Sequence, residues 1–568
     1  MKYTLDCSQI NTQYIRVTFE ANEVKSGSIL QLPIWRPGRY EAAHYAKYVR
    51  DMRIHNDQGE ELPVSKRNAS TWELLTTQPE NIRVSYEFYA GKLDAGSTYI
   101  DEDLIYINFI NCLVYMPERI TAACEVHINI PEGYQQGCSL SSPAHGVFSA
   151  ENYYMLADAP LLSSPGLQHL TYTAGDIPFH IWIYGENQLD EQRLINDFQK
   201  FSSFQIDCMK EFPESAYHFL LITQPYKLYH GVEHAASTVI CLGPRATLSG
   251  ELYDELLGIS SHELFHAWNI LKIRPKELLP YKFNEVPVFN TGYVAEGFTT
   301  YLGDLFLVAS GVKNEAWYLN ELGKLYKRHF ENIGRLHTSV TDSSIDLWVD
   351  GYQASAPHRK SSIYVEGAII ALLLDLKIRL ATNHEQSIVS LMNILYYDFA
   401  RYQKGYSSEN IQSIAEQLCN TSLDEFFDKY VYGTEDTRSE LDAMLNEFGL
   451  EINDVDNENF FERAYGLRIS ESGAQWKVLK TIPGSPASES LRPDDEVLDI
   501  DGQKVTADLI SGFSEDELRI TILRKGVKKN IQIHAAKHTF FPTYQVRRSP
   551  NISGSQLTNL HNWLNIEG

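Results

Sequence analysis

Apolar and polar residues alternate along the first third of the chain. Y-I-R-V-T-F-E-A (14–21), I-R-V-S-Y-E-F-Y-A (82–90) and C-E-V-H-I-N-I-P (124–131) repeat with period two, separated by turn-rich segments such as K-S-G-S and P-E-G-Y. This is the signature of strands with one buried face and predicts a β-sandwich-like module over residues 1–172. Between about 175 and 245, strand patterns (F-H-I-W-I-Y, Y-H-F-L-L-I-T, T-V-I-C-L-G) mix with one helical stretch, D-E-Q-R-L-I-N-D-F-Q-K-F. From about 250 to 450 the spacing becomes i, i+3, i+4, as in Y-D-E-L-L-G-I-S-S-H-E-L-F-H-A-W and E-G-A-I-I-A-L-L-L-D-L-K-I-R-L, which predicts amphipathic and buried helices. After about 455 short strands and turns return. The chain is expected to be a multidomain α+β protein. Its parts are an N-terminal β-rich domain (1–172), a mixed domain with a helical second half (173–452), a small β-rich domain (456–540) and a loosely packed tail (541–568).

At 568 residues the chain is too long for one core, in keeping with that division. Its net charge of −25, from 49 basic and 74 acidic side chains, repels phosphate backbones and anionic lipid and argues against nucleic acid and membrane as partners. The start, M-K-Y-T-L-D-C-S-Q-I, has no signal-peptide pattern, and no stretch approaches the roughly 20 apolar residues of a membrane span. The seven cysteines are scattered and lack C-x-x-C spacing, so free thiols and a cytoplasmic location are expected.

Chemistry concentrates in S-S-H-E-L-F-H-A-W-N (260–269). On a helix, His262 and His266 lie one turn apart, about 40° off one line, and can grip one cation; Glu263 lies about 100° around, placed to take a proton from a water held there. Two histidines and a carboxylate inside an apolar stripe (Leu256, Leu257, Ile259, Leu264, Phe265, Trp268) need partners. A catalytic zinc needs a third protein ligand, and Glu296, in the second helical pattern T-G-Y-V-A-E-G-F-T-T-Y-L, is the strongest candidate. Tyr364, opening a strongly apolar helix, could aim a phenol into a cleft, although among 34 tyrosines a structural role is the better reading of any one. In Y-H-G-V-E-H-A-A-S, a glycine turn at Gly231 runs into a strand that could pair with an extended peptide, with Glu233 and His234 at the junction where the strand starts. An exposed strand-end carboxylate and a hydrogen-bonded structural histidine are the plainer readings of these two.

Together these residues resemble the glycyl aminopeptidase family of zinc metallopeptidases (M61), within the thermolysin-like gluzincins. W-R-P-G-R-Y-E-A-A-H-Y-A-K-Y-V-R (35–50) resembles the family's amino-terminal β-domain, G-V-E-H-A-A-S its G-L-E-H segment, H-E-L-F-H-A-W-N its metal helix, E-G-F-T-T-Y its third-ligand helix and I-Y-V-E-G-A its tyrosine segment. Val232 and Glu366 depart from the commoner leucine and lysine. The resemblance implies a thermolysin-like catalytic domain with one Zn2+ per chain on His262, His266 and Glu296. It also implies Glu263 as general base, Tyr364 as transition-state stabiliser, and Glu233 as the anchor of a free α-ammonium group. The implied reaction is release of N-terminal residues, glycine and alanine first, from peptides by a zinc-activated water. Residues 464–469 and 484–505 resemble a PDZ domain, which implies that backbone N–H groups at Tyr465, Gly466 and Leu467 hold the carboxylate of a protein C-terminus. An endopeptidase recruiting protein tails, or an idle hydrolase acting as a PDZ binding protein, are the rival expectations.

Overall fold

The computed structural model describes residues 1–566 except 353–355 and 473–474. By contact the chain divides into two compact units, one of residues 1–314, 333–437 and 559–568, the other of 315–332 and 438–558.

In the first unit, the alternating segments near the N-terminus form a seven-stranded sheet in which Lys2–Asp6 lies between Cys124–Ile128 and Tyr14–Val24. Tyr14–Val24 sends Ile15, Val17, Phe19 and Ala21 to the buried side and Arg16 to solvent, as its period predicts. Ile107 and Leu161 of a second, four-stranded sheet share the same core, which continues into Tyr281, Phe283, Phe289, Ala295 and Ile363 from the helical half. Tyr106 and Leu162, which alternate with Ile107 and Leu161, pack instead with Leu220, Val232 and Val239. The N-terminal β-domain is thus joined to the next layer by apolar contact on two sides.

That layer is a five-stranded sheet ordered Gln168–Ala174, Ile177–Tyr184, Tyr217–Thr223, Ser237–Gly243, Leu228–His234. The boundary expected between 172 and 173 falls inside its first strand. The central pairings are parallel and the outer ones antiparallel, which leaves Leu228–His234 at an edge. Strand Ser237–Gly243, next to that edge, is buried at every position, which explains the apolar run Val239–Leu242 within it. Helices then dominate, the longest of them Ile363–Ala381, buried at nearly every position through Ile378. Asp375, fully buried within it, accepts bonds from Tyr301 Oη (2.6 Å), Arg379 Nε (3.0 Å) and the Ile388 N–H (2.8 Å). Among the described residues no helix is long and apolar enough to cross a membrane.

The second unit is built on the sheet Leu467–Ser472, Gln475–Thr481, Glu496–Ile500, Glu517–Arg524, Val527–His534, with helix Ala507–Gly512 contributing Ile510 to its core. Asp494 takes the left-handed conformation (φ 67°) at the turn where a glycine is more usual, a conformation aspartate tolerates. Helix Glu315–Phe330 joins this unit from far upstream: Arg468 forks between Glu331 (3.1 Å) and Glu462 (2.6 Å). Residues 543–564 are not loose, although from 559 onward they belong to the first unit. Thr543–Arg548 pairs with Leu450–Val455, and the terminal helix Gly554–Leu564 buries Leu560, Trp563 and Leu564.

Candidate active site

The histidine motif lies at the C-terminal end of helix Glu251–Phe265. The periodicity suggested that the helix runs on to Trp268, but it tightens first: the Ala267 and Trp268 N–H groups bond three residues back, to Leu264 and Phe265. This turn brings the Asn269 carbonyl within 2.6 Å of His266 Nδ1. A carbonyl only accepts, so Nδ1 carries a proton in either charge state, and when the ring is neutral its lone pair is on Nε2. Asn269 is itself fixed by bonds from its amide to the Val294 carbonyl (2.8 Å) and to Thr299 Oγ1 (3.0 Å).

Glu296 arrives on a π-helical turn, Tyr293–Phe298, that leads into helix Thr299–Ala309. Glycines set the approach of the helices. A Cβ on Gly303 would lie 3.1 Å from His262 Cα, and one on Gly297 would lie 2.2 Å from Gly367 Cα. The three side chains therefore converge: His262 Nε2 and His266 Nε2 are 3.0 Å apart, and Glu296 Oε2 is 3.6 and 3.5 Å from them. The other carboxylate oxygen, Oε1, accepts a bond from Tyr40 Oη of the N-terminal β-domain at 2.6 Å.

Beside this trio, Glu233, Glu263 and His266 each offer an atom within 4.8 Å of the others. Glu233 and Glu263 are 4% and 5% exposed, yet Glu233 Oε1 and Glu263 Oε2 have no hydrogen-bond partner. Gly231, on the edge strand, makes room for the base candidate, since a Cβ there would come within 2.1 Å of Glu263 Oε1. Gly38 does the same for Glu233 Oε2, at 2.5 Å. Electrostatics follow from this crowding. Burial, against the pull of His266 and with the push of neighbouring carboxylates, holds Glu263 well above its ordinary range and Glu233 up to about 7. Burial alone would lower His266, but Glu233, Glu296 and Glu263 push it up to about 10. Glu296 stays well below the usual range because His266 and His262 outweigh its burial. Three buried carboxyl groups thus crowd around two imidazoles.

Tyr364 stands in the first turn of helix Ile363–Ala381, whose N-cap Ser362 accepts the Val365 N–H. Its hydroxyl is 3.3 Å from that of Tyr352, and burial, then the charge of Glu296, raises it well above the usual phenol range. His234 is a hydrogen-bonded structural histidine: Nδ1–H donates to Asp158 Oδ1 (3.0 Å), and Nε2 accepts from buried Arg36 (3.2 Å). Burial first, opposed by Asp158 and aided by Arg36, lowers its pKa, in keeping with a neutral ring. Tyr465, Gly466 and Leu467, expected to hold a peptide carboxylate, are all buried. The Gly466 N–H already donates to Glu462 as the cap of helix Phe460–Tyr465, so it is not free for a ligand. Tyr40 and Asn269 had no assigned role in the sequence, although both stand inside the motifs that carried the resemblance.

Residues 2–165 match the peptidase M61 N-terminal domain, and residues 255–370 match the M61 glycyl aminopeptidase. The chain is therefore a peptidase, and both matched parts are of the M61 type. It superposes over 99% of its length on 99% of an aminopeptidase N family protein from Idiomarina loihiensis, with TM-score 0.92 and 24% identity, which shows a common fold. More distant likenesses include an M1 zinc metallopeptidase mutant from Deinococcus radiodurans bound to a Tyr-Ser-Ala substrate (TM-score 0.45, 14% identity, 74% of this chain and 92% of that one). Native yeast LTA4 hydrolase is another (TM-score 0.47, 12% identity, 77% and 68%). No curated protein matches the chain in sequence.

Proposed function

We propose that this peptidase is a zinc aminopeptidase that removes small N-terminal residues, glycine and alanine first, from peptides with a free N-terminus. The observation that carries the reading is the donor triangle of His262, His266 and Glu296, with edges of 3.0, 3.6 and 3.5 Å. Ligand atoms about 2.0–2.1 Å from a tetrahedral zinc lie roughly 3.3 Å apart, so the triangle fits that ion. Two further carboxyl groups, Glu233 and Glu263, lie beside His266, and each has one buried oxygen with no hydrogen-bond partner, a state that calls for a ligand. When bound, zinc would act as a Lewis acid that polarises the scissile carbonyl and makes a water molecule more acidic.

The chain's own residues do the rest. Glu263 takes the proton of the attacking water through Oε2 and returns it to the leaving amine. Tyr364 donates its phenolic proton to the oxyanion that develops on the substrate carbonyl. Glu233 accepts the α-ammonium group through Oε1, and the edge strand carrying Gly231 pairs with the extended substrate. A charged amine satisfies the buried carboxylate, whereas an acetylated one leaves it unpaired. Free glycyl-alanyl peptides should therefore be cut and their N-acetylated partners left intact in the presence of zinc. In Glu233→Ala the preference should shrink at least tenfold. Equal cleavage of both peptides by the wild-type enzyme would point instead to an endopeptidase; zinc uptake without any cleavage would leave the binding-protein reading.

Gly231→Ala follows from the same geometry. Its Cβ would displace the Glu263 carboxylate, so turnover should fall by about 10²-fold with zinc content unchanged. Metal analysis beside kcat checks this, and wild-type turnover would refute it.

The C-terminal part, 456–540 within the proposed division 1–172, 173–452, 456–540 and 541–568, is read as PDZ-like. Its strand Leu467–Ser472 ends the sheet order, leaving an edge for an added peptide strand. A ligand there would need carboxylate donors other than the Gly466 N–H.

A further inference from the structure

Tyr40 belongs to W-R-P-G-R-Y in the N-terminal β-domain, 256 positions before Glu296, yet its hydroxyl donates to Glu296 Oε1 at 2.6 Å. The two side chains are 2% and 3% exposed. The phenol ring is set edge-on against Phe289 (5.6 Å) and Trp348 (6.3 Å), so its hydroxyl has little freedom to leave the carboxylate. A carboxylate whose Oε1 is held in this way turns Oε2 toward the two imidazoles, which lie 3.6 and 3.5 Å from it. Without that bond the carboxylate could rotate, or offer both oxygens to one ion.

We infer that Tyr40 is a positioning residue of the metal site: it fixes Glu296 so that Oε2 alone is presented beside His262 and His266. The N-terminal β-domain then supplies part of the metal site and not only a neighbouring surface. This rests on the zinc reading above. Partners that orient a metal ligand change metal affinity by about 10- to 100-fold when removed.

The test is zinc affinity of the full chain, measured by competition with a chromophoric chelator, for wild type and Tyr40→Phe. Phenylalanine keeps the ring and its packing, and unchanged circular dichroism would show that the fold is retained. A 10- to 100-fold weaker affinity is expected, with an altered visible spectrum when cobalt replaces zinc. In a Glu296→Ala background the same Tyr40→Phe change should alter affinity by less than about twofold, because the group it acts through is gone. Wild-type affinity in Tyr40→Phe, or an equal loss in both backgrounds, would overturn the inference while leaving the zinc reading intact. Failure of the wild-type chain to take up one zinc would overturn both.

Discussion

Glu263→Gln is expected to lower kcat by about 10³-fold while the protein still binds one zinc. General base catalysis by a positioned side chain contributes about 10²–10⁴-fold, and the amide keeps the shape of the side chain but cannot accept the proton. Glu263 Oε1 is packed over Gly231, and Oε2 is buried without a partner, which is the state of a group waiting for a ligand. The proposed metal ligands lie on other side chains, so metal content should not follow activity down. Parallel measurement of kcat and bound zinc decides it: retention of more than about a tenth of the activity would remove Glu263 from the role of base.

Gly297→Ala should be the most damaging small change in the fold of the site. Within a helix this replacement usually stabilises, by about 0.5–1 kcal/mol, because alanine loses less backbone entropy. Here the sign reverses. The new Cβ would stand 2.2 Å from Gly367 Cα and 2.8 Å from the Ala368 nitrogen, contacts with backbone that no rotamer can relieve. Overpacking of this kind costs about 3 kcal/mol, more than propensity returns. The turn that must move also carries Glu296, so both the melting temperature and zinc affinity should drop. A melting temperature equal to or above wild type would show that the helices separate at no cost.

Much of this architecture is visible in the sequence because it rests on periodicity. Tyr14–Val24 alternates and is a strand; the apolar run at 366–380 is a buried helix. The spacing of His262 and His266 is a local property of a helix, so their convergence could be expected from four residues. Glu296 could be suspected from the second helical pattern, but the roles of Tyr364 and Glu233 came only with the family resemblance. What the sequence hides is contact across distance. Nothing in W-R-P-G-R-Y says that its tyrosine meets a carboxylate 256 positions away. The Asn269 carbonyl reaches His266 only because the helix tightens after Phe265. The glycine in A-Y-G-L-R-I looked like an anion-binding turn, but it caps a short helix whose carbonyl takes its N–H. The tail looked loose because its partner strand, Leu450–Val455, lies some ninety positions earlier.

Helix Glu315–Phe330 belongs with residues 438–558, although more than a hundred residues of the other unit follow it in the chain. Its fit there is close: Glu315 pairs with Arg548, and Gly323 has only 2.5 Å between an added Cβ and the Tyr544 carbonyl. A ribosome releasing about 5–20 residues each second therefore exposes this helix for roughly 5–20 s before residue 438 is even made. During that interval Tyr318, Leu322 and Tyr326, all buried in the finished protein, have no surface of their own unit to cover them. The C-terminal unit is thus a late product of synthesis with an early component, and a nascent chain stalled near residue 430 would present the apolar face of an amphipathic helix to chaperones.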